Sequence, residues 1–265
     1  MSPGQDPARR GKAGENMPAD EVIAVIFAGG VGSRMLKAQL PKQFMSVKDK
    51  PVLIHTLDHF QRHEQIDRIF LACLPDFIDH TWALVEQFGI SKVCAVTPGG
   101  KTAQHSIINA MRCALDEGVS DEAITLVHDG VRPIINAELI SQNIATTAEH
   151  GNAITAIPCF ETIAMSLDGA QTVDSVTQRD LMYVLQAPQT FRLGAAYRAN
   201  IQSMEDGLLG KFVDQAHLMK HYGTKLHMVP GFRGNTKLTT DFDLLQFQLL
   251  VDSGTLTTVT PADLA

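Results

Sequence analysis

Nowhere in the 265 residues do eighteen apolar positions follow one another, so a membrane-spanning helix is not expected. Cationic residues are in deficit as well: 22 Lys and Arg stand against 29 Asp and Glu, a formal net charge of −7. Broad contact with nucleic acid or an anionic membrane rests on a surplus of positive charge, so neither partner is expected and any phosphate site must be local. Cysteine is sparse. Cys73, Cys94, Cys113 and Cys159 stand singly, without a C-x-x-C pair. They read as reduced core thiols of a cytoplasmic protein rather than metal ligands or disulfides. The single tryptophan, Trp82, and the ten methionines read as packing residues. Residues 1–20 lack an apolar stretch of signal-peptide length and are rich in Gly, Pro and charge, which predicts a disordered tail. Residues 254–265 are expected to form a second tail.

What the chain does have is a rhythm. Short apolar runs at Val22 to Ala28, Ile66 to Leu74, Lys92 to Thr97, Ile124 to His128, Asn152 to Pro158 and Leu226 to Val229 have the length of strands. Between them, Leu53 to Arg62, Thr102 to Glu117, Ala137 to His150, Leu193 to Met204 and Asp241 to Val251 carry helical periodicity. That alternation predicts an α/β fold, a doubly wound and mostly parallel sheet of the Rossmann-like kind, in one domain over residues 21–253. Residues 160–180 break the rhythm with a polar insertion containing Thr172, Val173, Val176 and Thr177. The expectation is a projecting β-hairpin arm, and a hairpin of marginal stability calls for a bracing surface, which points to a homodimer.

In such sheets ligands bind beyond the carboxyl ends of the strands. After the first strand comes Ala28-Gly29-Gly30-Val31-Gly32-Ser33-Arg34-Met35, a loop whose glycines let backbone N–H groups approach phosphate oxygens. It is not the dinucleotide fingerprint, because Met35 stands where the third glycine belongs, and it lacks the Gly-Lys-Thr of the Walker loop. The later Gly100-Lys101-Thr102 fails that pattern too, with Ala95 in place of its first glycine. Arg34 and Lys42, the latter in Leu40-Pro41-Lys42-Gln43-Phe44, read as two cations suited to a triphosphate attacked at its α-phosphorus, or as solvated surface charges. The fourth strand runs into His128-Asp129-Gly130-Val131-Arg132-Pro133. Asp129 there suits a magnesium ion and Arg132 an anionic partner; the bland alternative is an Asp-Gly turn.

On these three segments the chain resembles the family that includes 2-C-methyl-D-erythritol 4-phosphate cytidylyltransferase and ribitol-5-phosphate cytidylyltransferase, in register from about residue 22 to residue 250. Pro51-Val52-Leu53-Ile54-His55-Thr56 and Ala187-Pro188-Gln189-Thr190-Phe191-Arg192 lean towards the ribitol branch. The resemblance implies transfer of the cytidylyl group of CTP to a small polyol phosphate, best D-ribitol 5-phosphate, with Mg2+ held near Asp129. It places Ala28, Gly29, Gly30, Gly32, Gly100 and Ser106 around the nucleotide. It makes Arg34, Lys42, Asp129 and Lys237 the catalytic set, and gives the acceptor to Arg132, Thr162, Asp214 and an Arg179 that reaches the neighbouring subunit from the arm.

Four positions depart from that pattern. Leu36 replaces a glycine, Ala103 an arginine of the base-binding loop, and Ala187 and Val213 two threonines that hold the acceptor phosphate. Competing expectations are therefore a methylerythritol phosphate acceptor, a UTP- or GTP-using pyrophosphorylase, and a non-catalytic nucleotide-binding regulatory module. His55, His59 and His63 recur at four-residue spacing, as do His217 and His221. Without a nearby cysteine or a conspicuous carboxylate triad they read as polar helix faces rather than zinc ligands.

Overall fold

In a computed structural model the protein is described over residues 20–29, 40–169 and 171–254. Eleven strands and seven α-helices follow in chain order: β1 (Val22–Ala28), β2 (Ser46–Val47), β3 (Lys50–Pro51), α1 (Val52–Arg62), β4 (Arg68–Cys73), α2 (Ile78–Gln87), β5 (Val93–Pro98), α3 (Ala103–Asp116) and β6 (Ile124–Asp129). The second half continues with α4 (Ala137–His150), β7 (Asn152–Pro158), β8 (Ala164–Met165), β9 (Ser175–Val176), β10 (Tyr183–Arg192), α5 (Leu193–Glu205), α6 (Gln215–His221), β11 (Met228–Pro230) and α7 (Asp241–Asp252).

Seven strands form one sheet in the order β11-β7-β10-β6-β1-β4-β5. β1 lies inside it, parallel to β4 on one side and to the middle strand β6 on the other. Its run Val-Ile-Ala-Val-Ile-Phe-Ala is apolar at every position because both faces of the sheet are covered. Alternation then divides the core: Val22, Ala24 and Ile26 pack with α1, α4 and α7, while Ile23 and Val25 pack with α3, α5 and α6. The helices start where the sequence supplies caps. Thr102 accepts from the His105 N–H at 3.1 Å and Asn136 from the Leu139 N–H at 2.9 Å; Thr240 and Asp243 form a reciprocal capping box on α7. Gly151, at φ 81°, closes α4 in the left-handed conformation.

All six expected strands and five expected helices are present, with ends shifted by at most two residues. Besides the two-residue strands β2 and β3, three elements escaped the sequence reading. β10 is a ten-residue strand that runs antiparallel to both of its neighbours, β6 and β7, so the sheet is mixed at that point. Pro188 in its middle lacks the donor that a central strand uses, and the pairing register shifts between Leu185 and Gln189. The helices α2 and α6 also went unseen.

Other expectations are corrected by burial. Cys73 and Cys159 are buried free thiols, but Cys94 is exposed on β5, the strand at the sheet edge, and Cys113 is half-buried. Trp82 is 38% exposed and Met165 and Met228 are exposed as well, whereas Met111 and Met219 do pack in the core. The row His55, His59 and His63 is not a solvated face. The three rings bond the carbonyls of Val47, Pro133 and Ala137 at 3.0, 3.0 and 3.2 Å, stitching α1 to the segments packed against it. Burial lowers the His59 imidazole to about 4, against the opposing pull of the Pro133 carbonyl. His217 and His221 are exposed and flank the ring of Phe212. In the polar insertion, β8 and β9 pair as a separate two-stranded antiparallel sheet whose residues are exposed.

Candidate functional site

Because β1 and β6 are parallel neighbours, Phe27 pairs with Asp129 and the loops beyond the two strands open side by side. Gly29 follows immediately. A Cβ there would stand 2.9 Å from the hydroxyl of Ser106, so only glycine lets the loop pass. Ser106 in turn ties down the opposite wall: its Oγ accepts from the Gly100 N–H at 3.0 Å and donates to the Thr102 carbonyl at 3.1 Å. A side chain at Gly100 would collide with the His105 ring. Ala28, Gly29, Gly100 and Ser106 thus come together as a close-fitting backbone cradle. Gly30, Gly32, Arg34 and Leu36 lie outside the described residues. Lys42 opens a short 3-10 turn, Lys42–Phe44, whose next residue Gln43 is buried and donates from Nε2 to the Ala28 carbonyl at 2.7 Å. That bond anchors the lysine segment to the end of β1.

Asp129 is 6% exposed and lies between two cations. Lys237 Nζ stands 2.5 Å from its Oδ1, and Arg132 Nε 3.4 Å from its Oδ2. Burial pushes the carboxyl up, but the charges of Lys237 and Arg132 together outweigh it and hold the group below the ordinary carboxylate range. Asp129 is therefore a stable anion. Behind it, His128 is fully buried and its Nε2 donates to the Arg132 carbonyl at 3.0 Å, which fixes the Asp-Gly-Val-Arg turn. Burial keeps that imidazole neutral, lowered to about 4. Gly130 is required by packing rather than turn geometry, since a Cβ would meet that of Ala28 at 2.9 Å.

Asp129, Arg132 and Lys237 open onto a cavity of about 190 Å³, which Ala103, Ala187, Val213 and Asp214 also line. Positions 103, 187 and 213, the three departures among the described residues, are all on its wall. Asp214 has a local duty: it caps α6, accepting from the His217 N–H at 2.8 Å, and its other oxygen accepts from Gln189 Nε2 at 2.9 Å. Thr162 and Arg179 do not line this cavity. Both are exposed in the insertion around β8 and β9, and Arg179 stands 3.9 Å from Asp180. Among the described residues no group of three or more His, Cys, Asp or Glu is placed to hold a metal ion.

Gln104, Gln186, Gln189, Phe212 and Asn235 surround or support the cavity and were not singled out from the sequence. Gln189 falls within the Ala187-to-Arg192 stretch, but its clamp on α6, accepting from the Ala216 N–H at 2.8 Å, has no local signature.

Residues 22–253 match the protein family described as IspD: 2-C-methyl-D-erythritol 4-phosphate cytidylyltransferase. Ribitol-5-phosphate cytidylyltransferase of Vibrio parahaemolyticus is 39% identical over 231 residues, covering 87% of this chain and 96% of that protein. A 2-C-methyl-D-erythritol 4-phosphate cytidylyltransferase of Geotalea uraniireducens is 34% identical, with 88% and 97% covered. Among solved structures, a 4-diphosphocytidyl-2C-methyl-D-erythritol synthase from Anaerococcus prevotii superposes with a TM-score of 0.73 at 26% identity, over 88% of this chain and 96% of that one.

Proposed function

The chain belongs to the 2-C-methyl-D-erythritol 4-phosphate cytidylyltransferase family of nucleotidyltransferases, and on that premise we propose that it transfers the cytidylyl group of CTP to D-ribitol 5-phosphate. One observation supports the chemistry above the rest: an ionised Asp129 set between Lys237 and Arg132 at a cavity, beside a glycine cradle closed by Ser106. The acceptor follows from the relatives, since those named for ribitol 5-phosphate reach 39% identity and those named for methylerythritol phosphate 34%.

In the reaction a phosphate oxygen of the acceptor attacks the α-phosphorus of CTP. The new O–P bond forms as the bond from the α-phosphorus to the oxygen bridging towards the β-phosphorus breaks, and diphosphate leaves with that electron pair. No covalent enzyme intermediate is needed; positioning and charge suffice. Arg34 and Lys42 serve the triphosphate, Lys237 and Arg132 add positive charge at the cavity, and Ala28, Gly29, Gly30, Gly32, Gly100 and Ser106 enclose the nucleoside. Mg2+ fits this donor set. Asp129 is a hard carboxylate kept ionised, its Oδ2 is only loosely engaged by Arg132 at 3.4 Å, and magnesium takes few protein ligands when phosphates and water complete its shell. When bound there it would neutralise phosphate charge.

Thr162 serves the acceptor, and Arg179 serves that of the neighbouring subunit in a homodimer built through the arm. Leu167, Val173 and Leu181, at 77%, 65% and 72% exposure, are the apolar surface that a second copy would cover. We place the enzyme in the cytoplasm with its free thiols reduced.

Diphosphate release from CTP, UTP and GTP, each with ribitol 5-phosphate and methylerythritol phosphate, tests the reading. Turnover is expected with CTP and ribitol 5-phosphate. Faster turnover with methylerythritol phosphate reassigns the acceptor, and nucleotide binding without turnover on any acceptor replaces the enzyme by a regulatory module.

A further inference from the structure

The loop that delivers Lys237 is bound to β10 and to the Asp129 turn by a buried amide clamp. From β10, Gln186 Nε2 donates to the carbonyls of Phe232 and Asn235, each at 3.0 Å. Asn235 answers from Nδ2 to the Ala187 carbonyl at 2.7 Å, and its own carbonyl also accepts from an Arg132 guanidinium N–H at 2.6 Å. Further along, the Leu238 N–H reaches the Val131 carbonyl at 2.9 Å. Lys237 lies between these two anchor points and is thereby presented to Asp129.

The fit is tight. Asn235 is completely buried and is not on the cavity wall, so a ligand does not reach it. Gly231 has no room for a side chain: a Cβ would fall 2.2 Å from Gln186 Oε1 and 2.8 Å from Thr155 Cγ2. The sheet does not need this clamp, because β10 pairs with β6 and β7 through residues on either side of it.

We propose that Asn235 is a positioning residue for the transfer reaction, fixing through its side chain and its carbonyl where Lys237 and Arg132 stand around Asp129. The inference rests on the reading above that these three groups face the reacting phosphates. A lysine carries its charge on a flexible four-carbon stem, so its effect at a reacting phosphorus depends on where the backbone starts it. Holding the backbone from two sides, by Asn235 and by Leu238, limits where the ammonium can go.

A double-mutant cycle tests this. Rates of diphosphate release are measured for the wild type, Asn235→Ala, Lys237→Ala and the double variant, with the fold of each checked by urea unfolding. Asn235→Ala alone should lower kcat about thirtyfold while KM for CTP moves less than about threefold. In the Lys237→Ala background the same change should cost less than about threefold, because the ammonium it positions is gone and the residue-235 backbone carbonyl that holds Arg132 is kept in every variant. An equal loss in both backgrounds, or no loss in either, overturns the inference. A Lys237→Ala variant with wild-type turnover overturns the site reading itself, and the inference falls with it. If Asn235→Ala does not fold, Gln186→Met removes the opposing donor of the same clamp, and its cycle with Lys237→Ala is decided by the same two outcomes.

Discussion

Lys237 Nζ and Asp129 Oδ1 meet at 2.5 Å, joining an ammonium from the loop before the last helix to a carboxylate at the end of a central strand. Arg132 completes the arrangement on the other carboxylate oxygen. Replacing Lys237 by Met should lower turnover about a hundredfold, as loss of a single charge-stabilising donor does. It should also raise the Asp129 carboxyl, since burial then acts against one remaining cation instead of two. Carboxyl NMR titration of wild type and variant reads that shift; an unmoved Asp129 refutes the pairing.

Lys42 is carried by a turn that Gln43 fastens to the Ala28 carbonyl, so its backbone is well placed relative to the cradle. Lys42→Ala is expected to reduce turnover at least about a hundredfold. Near-normal initial rates in this variant defeat the assignment of cytidylyl transfer to this loop.

Ser106 joins the two walls of the cradle, its hydroxyl accepting from the Gly100 N–H at 3.0 Å. Ser106→Ala should weaken CTP by about tenfold, the order expected when one partly buried hydrogen bond is lost and its donor is left without a partner. Calorimetric titration with CTP measures this; unchanged affinity means the cradle is elsewhere.

Stability should rise with pH above the acid range. The His128 imidazole has a folded value of about 4 against an ordinary 6.5, so between these values the unfolded chain binds a proton that the folded chain refuses. At pH 5 this removes on the order of 2 kcal/mol relative to pH 7. Urea midpoints at both pH values should show the drop, and His128→Gln, which keeps a donor for the Arg132 carbonyl, should diminish it. His59, lowered by burial to about 4 as well, supplies a second increment that the variant retains.

Val213 is 86% exposed at the cavity, so a threonine there costs no packing. Val213→Thr should lower KM for the acceptor phosphate by roughly three- to tenfold, the worth of one added hydrogen bond. An unaltered KM for both acceptors places their phosphate away from this wall.

The strands that could be read from the sequence are those with apolar runs, β1 above all, where burial on both faces leaves no polar position. β10 hid because Gln186, Pro188 and Gln189 interrupt it, and the two glutamines line the cavity and bond the segments around it rather than serving the sheet. α2 shows only Thr81, Leu84 and Val85 to the core, and α6 has seven residues, both too little for a helical stripe to register. In the site, Asp129 and the Ala28-Gly29 side of the cradle were legible as strand-end motifs, whereas Gly100 and Ser106 came through the resemblance. Lys237 came only through the resemblance, since nothing near it in sequence foretells a partner across the fold. Asn235 and Gln186 were silent for the same reason: hydrogen bonds across long stretches of chain leave no spacing to read. The histidines of α1 misled, because periodicity reports a face but not the carbonyls of a distant segment that come to cover it.

β7 and β10 are adjacent and antiparallel, and their ladder is closed by the Cys159 N–H on the Met182 carbonyl at 2.8 Å. Everything from 160 to 181 is thus, in topological terms, an overgrown hairpin turn. Such an appendage can lengthen, shrink or change its chemistry without rethreading a single strand. The arm can thus diversify without disturbing the sheet, while the Arg233 guanidinium, 5.0 Å from the Phe160 ring, keeps its base in touch with the loop that carries Lys237.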